Sequence, residues 1–525
     1  MGENPKRHCW ECLRRCVVCD STRPACNRCT AAGGVCPGYG DVKPTRLVWL
    51  APGKVKSRVR RRKGSPALSA EPPSQLPGHP SPAPHAYPNG VVYDCIPRFG
   101  VNTDADAVVH AAEYYNVCIY EDLIPIRELG DNPAIYRISP SLIREAVSLP
   151  DYLQRGMLCM ALSHRMNRAW GDSRVDHRAL AERFYVHRGN AIRSLRELLN
   201  QESHRTGDVV IAGIVTLLLV DLQQGASLNW RSHLEGAIKL IQLRGGFAAL
   251  ASSKILEPQL LLLCFMAVIG NTTCPASDLS MTPAHLAALD VILRSYGTGL
   301  APFQMCPPPL FGEVIRINHL RWRATNHTHH AELAQEAYEI QSRIHGFSPE
   351  HWADTKPCAR EDWALVGRIY HAAVALYWAS ALQSLSVLVP TPPLRAECAE
   401  RARLLHQLLA RAATCPPIKR YTLWPLVVLG VQAAQTHAHA HDVHGGCGVQ
   451  EMRDFVAAQL PVLARYGGTY APLMAKVVLE RFWASGETRW DACFDRPYAF
   501  VMQIAVDTSR IMSAAPGEGS APGSP

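Results

Sequence analysis

Six cysteines near the amino terminus are spaced so that their thiolates could hold metal ions. They form two copies of the spacing C-x2-C-x6-C, the second shifted by 17 residues: Cys9, Cys12 and Cys19, then Cys26, Cys29 and Cys36. A thiolate pair two residues apart can chelate tetrahedral Zn(II), and a third thiolate can return to the same metal after a short helix. Two tetrahedral ions need eight sulfur bonds, so two of the six sulfurs must bridge both metals. The spacing therefore predicts a binuclear cluster of two Zn(II) per chain.

Two other uses of these cysteines remain open from the spacing. A seventh cysteine, Cys16, allows a single-metal site of spacing C-x2-C-x3-C-x2-C from Cys9 to Cys19, which would leave the second triplet without a metal. Disulfides are the other alternative. The amino terminus lacks the apolar segment of a signal peptide, so we expect a reducing compartment, which disfavours disulfides.

The segment CWECLRRCVVCDSTRPACNRCTAAGGVCPGY, residues 9–39, resembles the DNA-binding domain of fungal-type Zn(2)-C6 binuclear cluster transcription regulators. The resemblance covers all six cysteines and four further positions. These are Asp20 after the third cysteine, Pro24 two residues before the fourth, and Gly38 and Tyr39 after the sixth. It implies that Cys9 and Cys26 are the bridging ligands. Terminal ligands would be Cys12 and Cys19 on one metal and Cys29 and Cys36 on the other.

In this family the segment after the second cysteine is a short helix that enters the major groove at a CGG triplet. Here that segment carries Arg14 and Arg15, and an arginine can donate two hydrogen bonds to guanine O6 and N7. An alternative role for either arginine is to offset the negative charge of the cluster. The family usually places Lys or Arg where this chain has Cys16 and Val18.

A basic arm follows the cluster at residues 37–63. Residues 1–64 hold 15 Lys and Arg against four Asp and Glu, a net charge of +11, whereas the whole chain carries +9. Such a segment can bind DNA phosphates and can serve as a nuclear localisation signal. We expect phosphate contacts from Lys43, Arg46, Lys54, Lys56 and Arg58, and a nuclear localisation signal at Arg60, Arg61, Arg62 and Lys63. A solvated charge run without either role is the alternative.

Residues 64–90 contain eight Pro in 27 residues, a composition that predicts a disordered linker. From 91 to 513 the apolar residues recur at helical spacing, as in the stripe Leu180, Phe184, Ala191, Leu195 and Leu198 and the stripe Trp363, Val366, Tyr370, Ala373 and Tyr377. The sequence therefore predicts a small zinc-stabilised cluster domain followed by a large all-α regulatory domain, with a disordered tail at 514–525. Its apolar stretches are too short or too interrupted to cross a membrane.

Two segments of the helical region resemble the fungal-specific regulatory domain that lies C-terminal to some of these zinc clusters. They are WRSHLEGAIKLIQLRGG at 230–246 and LWPLVVLGVQAA at 423–434. Histidines also cluster, at His327, His329 and His330 and at His437, His439, His441 and His444, but alternating His and Ala is typical of a polar loop or helix end. The chain has no HExxH, GxSxG or GxxxxGK[ST] motif. We therefore expect no enzymatic activity.

These observations predict a nuclear transcription regulator that uses zinc, reads CGG-type sites in double-stranded DNA and contacts the transcription machinery. No heptad pattern follows the cluster, so paired half-sites are not implied, and a homodimer remains an open possibility. The alternative is a zinc-cluster protein whose DNA reading has decayed and which acts through protein interactions of its helical body.

Overall fold

The structure, a computed structural model, divides the chain into two units, Met1–Pro88 and Asn89–Pro525. It describes Cys9, Cys12, residues 19–23 and 25–32 and Cys36 of the first unit, and residues 104–131, 135–202, 205–225, 230–250, 256–298, 306–326, 330–437 and 445–502 of the second. The basic arm at 37–63, the linker at 64–90 and the tail at 514–525 lie outside the described residues. Predictions about these three segments stay predictions.

The first unit contains one short described helix, α1 (Asn27–Ala31). The second unit is helical, and its described residues form no strand. Its first helices are α2 (Asp104–Tyr114), α3 (Tyr120–Leu123), α4 (Pro140–Ser148), α5 (Asp151–Arg168), α6 (His177–Leu199), α7 (Asp208–Gln224), α8 (Trp230–Leu243), α9 (Gly246–Leu250), α10 (Glu257–Thr272), α11 (Thr282–Ala287) and α12 (Leu289–Thr298). The others are α13 (Pro308–Asn326), α14 (His330–His345), α15 (Pro349–Asp354), α16 (Arg360–Ser384), α17 (Pro392–Ala413), α18 (Pro416–Lys419), α19 (Leu423–His437), α20 (Gly445–Gly467), α21 (Ala471–Ser485) and α22 (Trp490–Cys493). The prediction of an all-α body is confirmed.

Three helices begin at the same local signal, a hydroxyl residue followed by proline. Ser139, Ser348 and Thr391 each accept a hydrogen bond from a backbone N–H in the first turn of α4, α15 and α17. The following proline has no N–H to satisfy, and its fixed φ suits the first helical position. These dipeptides therefore fix where the three helices start.

The apolar stripes read from the sequence face the core. In α6, Leu180, Phe184, Ala191 and Leu195 are buried and Leu198 is partly buried. All five residues of the second stripe, on α16, are buried. The helical spacing therefore predicted both helices and their inward faces.

Helix α16 lies at the centre of the second unit, where nearly every residue from Trp363 to Leu382 is buried. It packs against α13, α14, α15, α17, α19 and α22. A helix that is apolar all round needs neighbours on every side. No helix among the described residues is long and apolar enough to cross a membrane.

Candidate metal centre

The six predicted metal-binding cysteines come together in two overlapping groups of four sulfur atoms. The first tetrad is Cys9, Cys12, Cys19 and Cys26, and the second tetrad is Cys9, Cys26, Cys29 and Cys36. Within each tetrad all Sγ atoms lie within 4.8 Å of one another. Cys9 and Cys26 belong to both tetrads, so the arrangement has four sulfurs for each of two metal positions.

The spacing of the sulfur atoms fits tetrahedral zinc. The Sγ atom of Cys26 lies 3.6 Å from that of Cys9 and 3.7 Å from that of Cys12, and Cys9 lies 3.6 Å from Cys29. A zinc ion with four sulfur ligands at about 2.3 Å places those sulfurs about 3.8 Å apart. None of the described cysteines forms a disulfide. The donor set, four thiol sulfurs around each position, is also the one that zinc favours in structural sites.

The two halves of the cluster repeat the same backbone hydrogen bonds. The N–H of Cys12 donates to Sγ of Cys9 at 3.4 Å, and the N–H of Cys29 donates to Sγ of Cys26 at 3.3 Å. A second pair of bonds joins residues ten apart: Cys9 N–H to Sγ of Cys19 at 3.4 Å and Cys26 N–H to Sγ of Cys36 at 3.5 Å. The 17-residue duplication of the sequence is therefore also a duplication of local structure. The N–H groups of Cys12 and Cys29 would stabilise thiolate charge at the shared sulfurs, and those of Cys9 and Cys26 would do so at Cys19 and Cys36.

Asp20 connects the end of the first half to the start of the second. Its Oδ2 accepts a hydrogen bond from the backbone N–H of Asn27, the first residue of α1, at 2.9 Å, and one from the hydroxyl of Thr22 at 3.1 Å. The Asn27 side chain donates in turn to the hydroxyl of Thr22 at 3.2 Å. Because α1 carries Cys29, this network fixes that cysteine relative to Cys19, which precedes Asp20.

Crowding of the thiols changes their proton affinity. Burial raises the pKa of Cys9 and that of Cys29, and it raises the pKa of Cys12 to about 12, with a further increase from hydrogen bonds to neighbouring thiols. The thiols of Cys9, Cys12 and Cys29 therefore do not become thiolates on their own at neutral pH. A cation at each tetrad would displace these protons.

The other predicted residues of the first unit lie outside the part of the chain that the structure describes. They are Arg14, Arg15, Cys16, Val18, Pro24, Gly38, Tyr39, the arm residues Lys43, Arg46, Lys54, Lys56 and Arg58, and the localisation residues Arg60, Arg61, Arg62 and Lys63. Their assignments remain predictions.

The helical unit contains a buried ion pair that the sequence analysis missed. The Arg321 guanidinium is fully buried and donates to Oδ1 of Asp491 at 2.7 Å. It also donates to the backbone carbonyls of Asn271 and Cys274, each at 2.9 Å, and to the hydroxyl of Tyr377 at 3.0 Å. No local sequence pattern marks Arg321, because its partners lie far away along the chain.

The segment at 230–246, which resembles the regulatory domain, forms contacts with residues that are distant in the sequence. The indole N–H of Trp230 donates to the carbonyl of Pro497 at 3.3 Å. Nε2 of His233 lies 3.2 Å from Oδ2 of the buried Asp221. These residues therefore join α8 to α7 and to the segment after α22. The 230–246 segment thus has a structural role.

Most of the two histidine groups lies outside the described residues. His330 begins α14 and His437 ends α19, whereas His327, His329, His439, His441 and His444 lie outside the described residues. Among the residues that the structure describes, the cysteine tetrads are the groups whose ligand atoms could hold a metal ion.

Comparison with known proteins defines the class of protein. Residues 110–499 match the family described as the fungal-specific transcription factor domain. The chain therefore belongs to this family, whose members regulate transcription and are not enzymes. This match confirms the resemblance that was based on the segments at 230–246 and 423–434.

A curated relative extends the similarity over nearly the whole chain. It is the phomenoic acid biosynthesis cluster-specific transcriptional regulator of Leptosphaeria maculans, 44% identical over 517 residues, which are 96% of this chain and 91% of the relative. No solved structure matched the chain.

Proposed function

We propose that this transcriptional regulator binds two Zn(II) through its six amino-terminal cysteines and uses the resulting cluster to bind specific DNA sequences. The observation that carries the proposal is the pair of sulfur tetrads that share Cys9 and Cys26. Cys12 and Cys19 would complete one metal site, and Cys29 and Cys36 the other. Bound zinc would supply a rigid crosslink for a segment too short to have an apolar core of its own.

Base reading is assigned to Arg14 and Arg15, which follow the second zinc ligand in the sequence. An arginine in the major groove distinguishes guanine by two hydrogen bonds, which suits a CGG-type site. The arm residues from Lys43 to Arg58 supply phosphate contacts, which add affinity without reading bases. The run from Arg60 to Lys63 directs the protein to the nucleus.

The relative's role supports a more specific proposal about the target genes. That protein is named as the regulator of one biosynthetic gene cluster, and the similarity covers almost the full length of both chains. We infer that the present chain also controls a biosynthetic gene cluster. Deleting its gene should lower or raise the transcripts of one group of adjacent genes, and unchanged transcripts in every such group would contradict the inference.

Zinc dependence and sequence reading can be tested together on the full-length protein. Binding of a fluorescent duplex containing CGG is compared with binding of a scrambled duplex, before and after zinc is removed by a chelator. Preference for the CGG duplex that disappears on chelation supports the proposal. Equal binding of both duplexes by the zinc-loaded protein supports the alternative, a regulator whose DNA reading has decayed because Cys16 and Val18 replace cationic residues.

A further inference from the structure

The chain that leads from α16 into α17 presents a threonine followed by proline at the protein surface. Residues 389–393 have the sequence VPTPP, and all five are exposed, Val389 to 71%. Three of them are prolines, which have no backbone N–H to donate. The N–H of Thr391 donates to the carbonyl of Val389 at 2.9 Å, and the carbonyl of Thr391 accepts from the N–H of Arg395 at 3.0 Å. These hydrogen bonds stay within the segment and the first turn of α17.

Exposure distinguishes Thr391 from the other hydroxyl residues that precede proline. The structure describes three more such dipeptides, which begin at Ser139, Thr282 and Ser348. Thr282 is 1% exposed, Ser139 is partly buried, and the proline after Ser348 is buried. Among the described dipeptides, Thr391 is therefore the one in which the hydroxyl residue, its proline and the residues on both sides are all exposed.

The backbone at Thr391 already has the conformation that a kinase cleft binds. A protein kinase binds the residues around its target hydroxyl as an extended segment, and Thr391 is extended, with φ −77° and ψ 153°. The following proline favours this conformation, because its ring disfavours the helical region for the residue before it. A kinase pocket that is apolar and has no acceptor for a backbone N–H selects proline at that position, since any other residue would leave its N–H unpaired. The segment therefore fits a kinase that reads proline after the target residue.

We propose that Thr391 is a phosphorylation site for a proline-directed serine/threonine kinase that uses ATP. In this step Oγ of Thr391 forms a bond to the γ-phosphorus of ATP, and the bond from that phosphorus to the β–γ bridging oxygen breaks. ADP leaves, and the hydroxyl proton passes to the general base of the kinase. The site lies in the helical unit and does not depend on the proposed zinc cluster.

A phosphate on Thr391 would be stabilised by groups that are already next to it. The phosphate carries a charge of roughly −1.5 to −2 at pH 7 and has three acceptor oxygens. Thr391 is the N-cap of α17, and its hydroxyl oxygen accepts from the N–H of Leu394 at 3.4 Å. Arg395 lies four residues after Thr391, is exposed, and has no ion-pair partner among the described residues. We expect the phosphate to pair with Arg395 and to strengthen the start of α17.

Phosphorylation of the folded full-length protein by a purified proline-directed kinase and ATP tests the proposal. Tandem mass spectrometry locates each added phosphate by its mass of about 80 Da. The rate at each site is divided by the rate in a synthetic peptide, residues 386–397 for Thr391 and residues 277–288 for Thr282. This ratio should lie within about threefold of one for Thr391 and below about one hundredth for Thr282, because modification of a buried residue requires local unfolding.

Two proline variants form a matched pair. Pro392→Ala removes the residue that the kinase would read and should slow phosphorylation of Thr391 by about tenfold or more. Pro393→Ala removes the neighbouring proline, which such a pocket does not read, and should change the rate by less than about threefold. Alanine suits the first turn of a helix, so both variants should remain folded, which circular dichroism checks.

Hydrogen exchange measures the effect of the phosphate on α17. Phosphorylation should slow exchange of the N–H groups in the first turn by about two- to fivefold, because negative charge stabilises the start of a helix. Arg395→Gln should reduce this protection. Arg403→Gln, at an exposed position further along α17, should retain it.

Three results would overturn the proposal. The first is a 386–397 peptide that the kinase does not phosphorylate. The second is a ratio for Thr391 in the folded protein as low as that for Thr282, which would show that the fold hides the site. The third is a folded Pro392→Ala variant that is phosphorylated as fast as the unmodified protein. Exchange that is unchanged or faster after phosphorylation would overturn the stabilising role assigned to Arg395 and the helix start.

Discussion

Cys9 and Cys26 bring their Sγ atoms to within 3.6 Å of each other, although they are 17 residues apart in the chain. Each of these two sulfurs belongs to both tetrads. A bridging sulfur binds two metal ions, so its loss removes a ligand from both, whereas loss of a terminal ligand affects one. The proposed cluster therefore makes distinct predictions for the bridging and non-ligand cysteines.

Metal content should separate these positions. Cys9→Ser and Cys26→Ser should each lose most of both zinc ions, because each removes a ligand from both metals. Cys16→Ser should retain two zinc ions per chain, since Cys16 lies outside the proposed ligand set. Inductively coupled plasma mass spectrometry of the full-length variants measures the ratio of zinc to protein. Loss of zinc from Cys16→Ser would contradict the ligand assignment.

The network at Asp20 should strengthen zinc retention. Asp20→Ala removes the acceptor for the first N–H of α1, and loss of one such hydrogen bond costs about 1 kcal/mol, or about fivefold in zinc affinity. Thr22→Val removes the two hydrogen bonds of the Thr22 hydroxyl but leaves the direct bond from the Asn27 N–H to Asp20, so its effect should be smaller. Competition with a coloured chelator measures both affinities. Equal zinc affinity in Asp20→Ala and the unmodified protein would show that the network does not position the ligands.

The buried ion pair should be important for the stability of the helical unit. Arg321→Met leaves Asp491 without its cation and should reduce the free energy of unfolding by about 3–5 kcal/mol. Arg403→Met, at an exposed position, should change it by less than about 0.5 kcal/mol. Urea unfolding followed by helical circular dichroism measures both variants. A cost below about 1 kcal/mol for Arg321→Met would contradict the role assigned to this pair.

Acid should destabilise the same unit through His164. Burial, with the positive charges of Arg420 and Arg168, lowers the pKa of His164 from 6.5 to about 3. Below pH 6.5 the unfolded chain binds a proton that the folded protein does not bind, so stability is retained above this pH and falls as the pH falls. The contribution is about 1.4 kcal/mol per pH unit until the folded pKa is reached.

His164→Gln tests this pH dependence directly. The ring of His164 has the Tyr114 hydroxyl 3.0 Å from Nδ1 and the Asp122 carboxylate 3.9 Å from Nε2. Urea unfolding at pH 7.5 and pH 5.5 should show a smaller loss of stability on acidification for His164→Gln than for the unmodified protein. His351→Gln, at an exposed position, should keep the unmodified pH dependence. An unchanged dependence in His164→Gln would contradict the argument.

Local patterns in the sequence predicted much of this architecture. The duplicated cysteine spacing predicted two triplets of neighbouring sulfurs, because chelation is a local property of two short turns, whereas the sharing of Cys9 and Cys26 was implied by the resemblance to the zinc-cluster family. Helical spacing predicted the inward faces of α6 and α16. The structure adds a local signal that the sequence analysis did not use: a hydroxyl residue followed by proline, as in Ser139-Pro140, begins a helix, because a capping hydroxyl and a residue without an N–H both act within one turn.

Contacts between distant residues could not be predicted in the same way. Arg321 and Asp491 are 170 residues apart, and Trp230 and Pro497 are 267 residues apart. No residue near Arg321 in the sequence indicates that α13 buries a charge. The hydrogen-bond acceptors of the Arg321 guanidinium are carbonyl groups at the end of α10 and the Asp491 carboxylate in α22. Such pairs depend on how distant helices pack together, and local patterns in one sequence do not show that packing.

The most direct test of the central proposal is fluorescence anisotropy of the full-length protein with CGG-containing and scrambled duplexes, repeated after chelation and with Arg15→Ala. The proposal predicts that the zinc-loaded protein prefers the CGG duplex, that Arg15→Ala loses about 1–3 kcal/mol of this preference, and that chelation abolishes it. Equal affinity of the zinc-loaded protein for both duplexes, or a preference that survives complete removal of zinc, would contradict it.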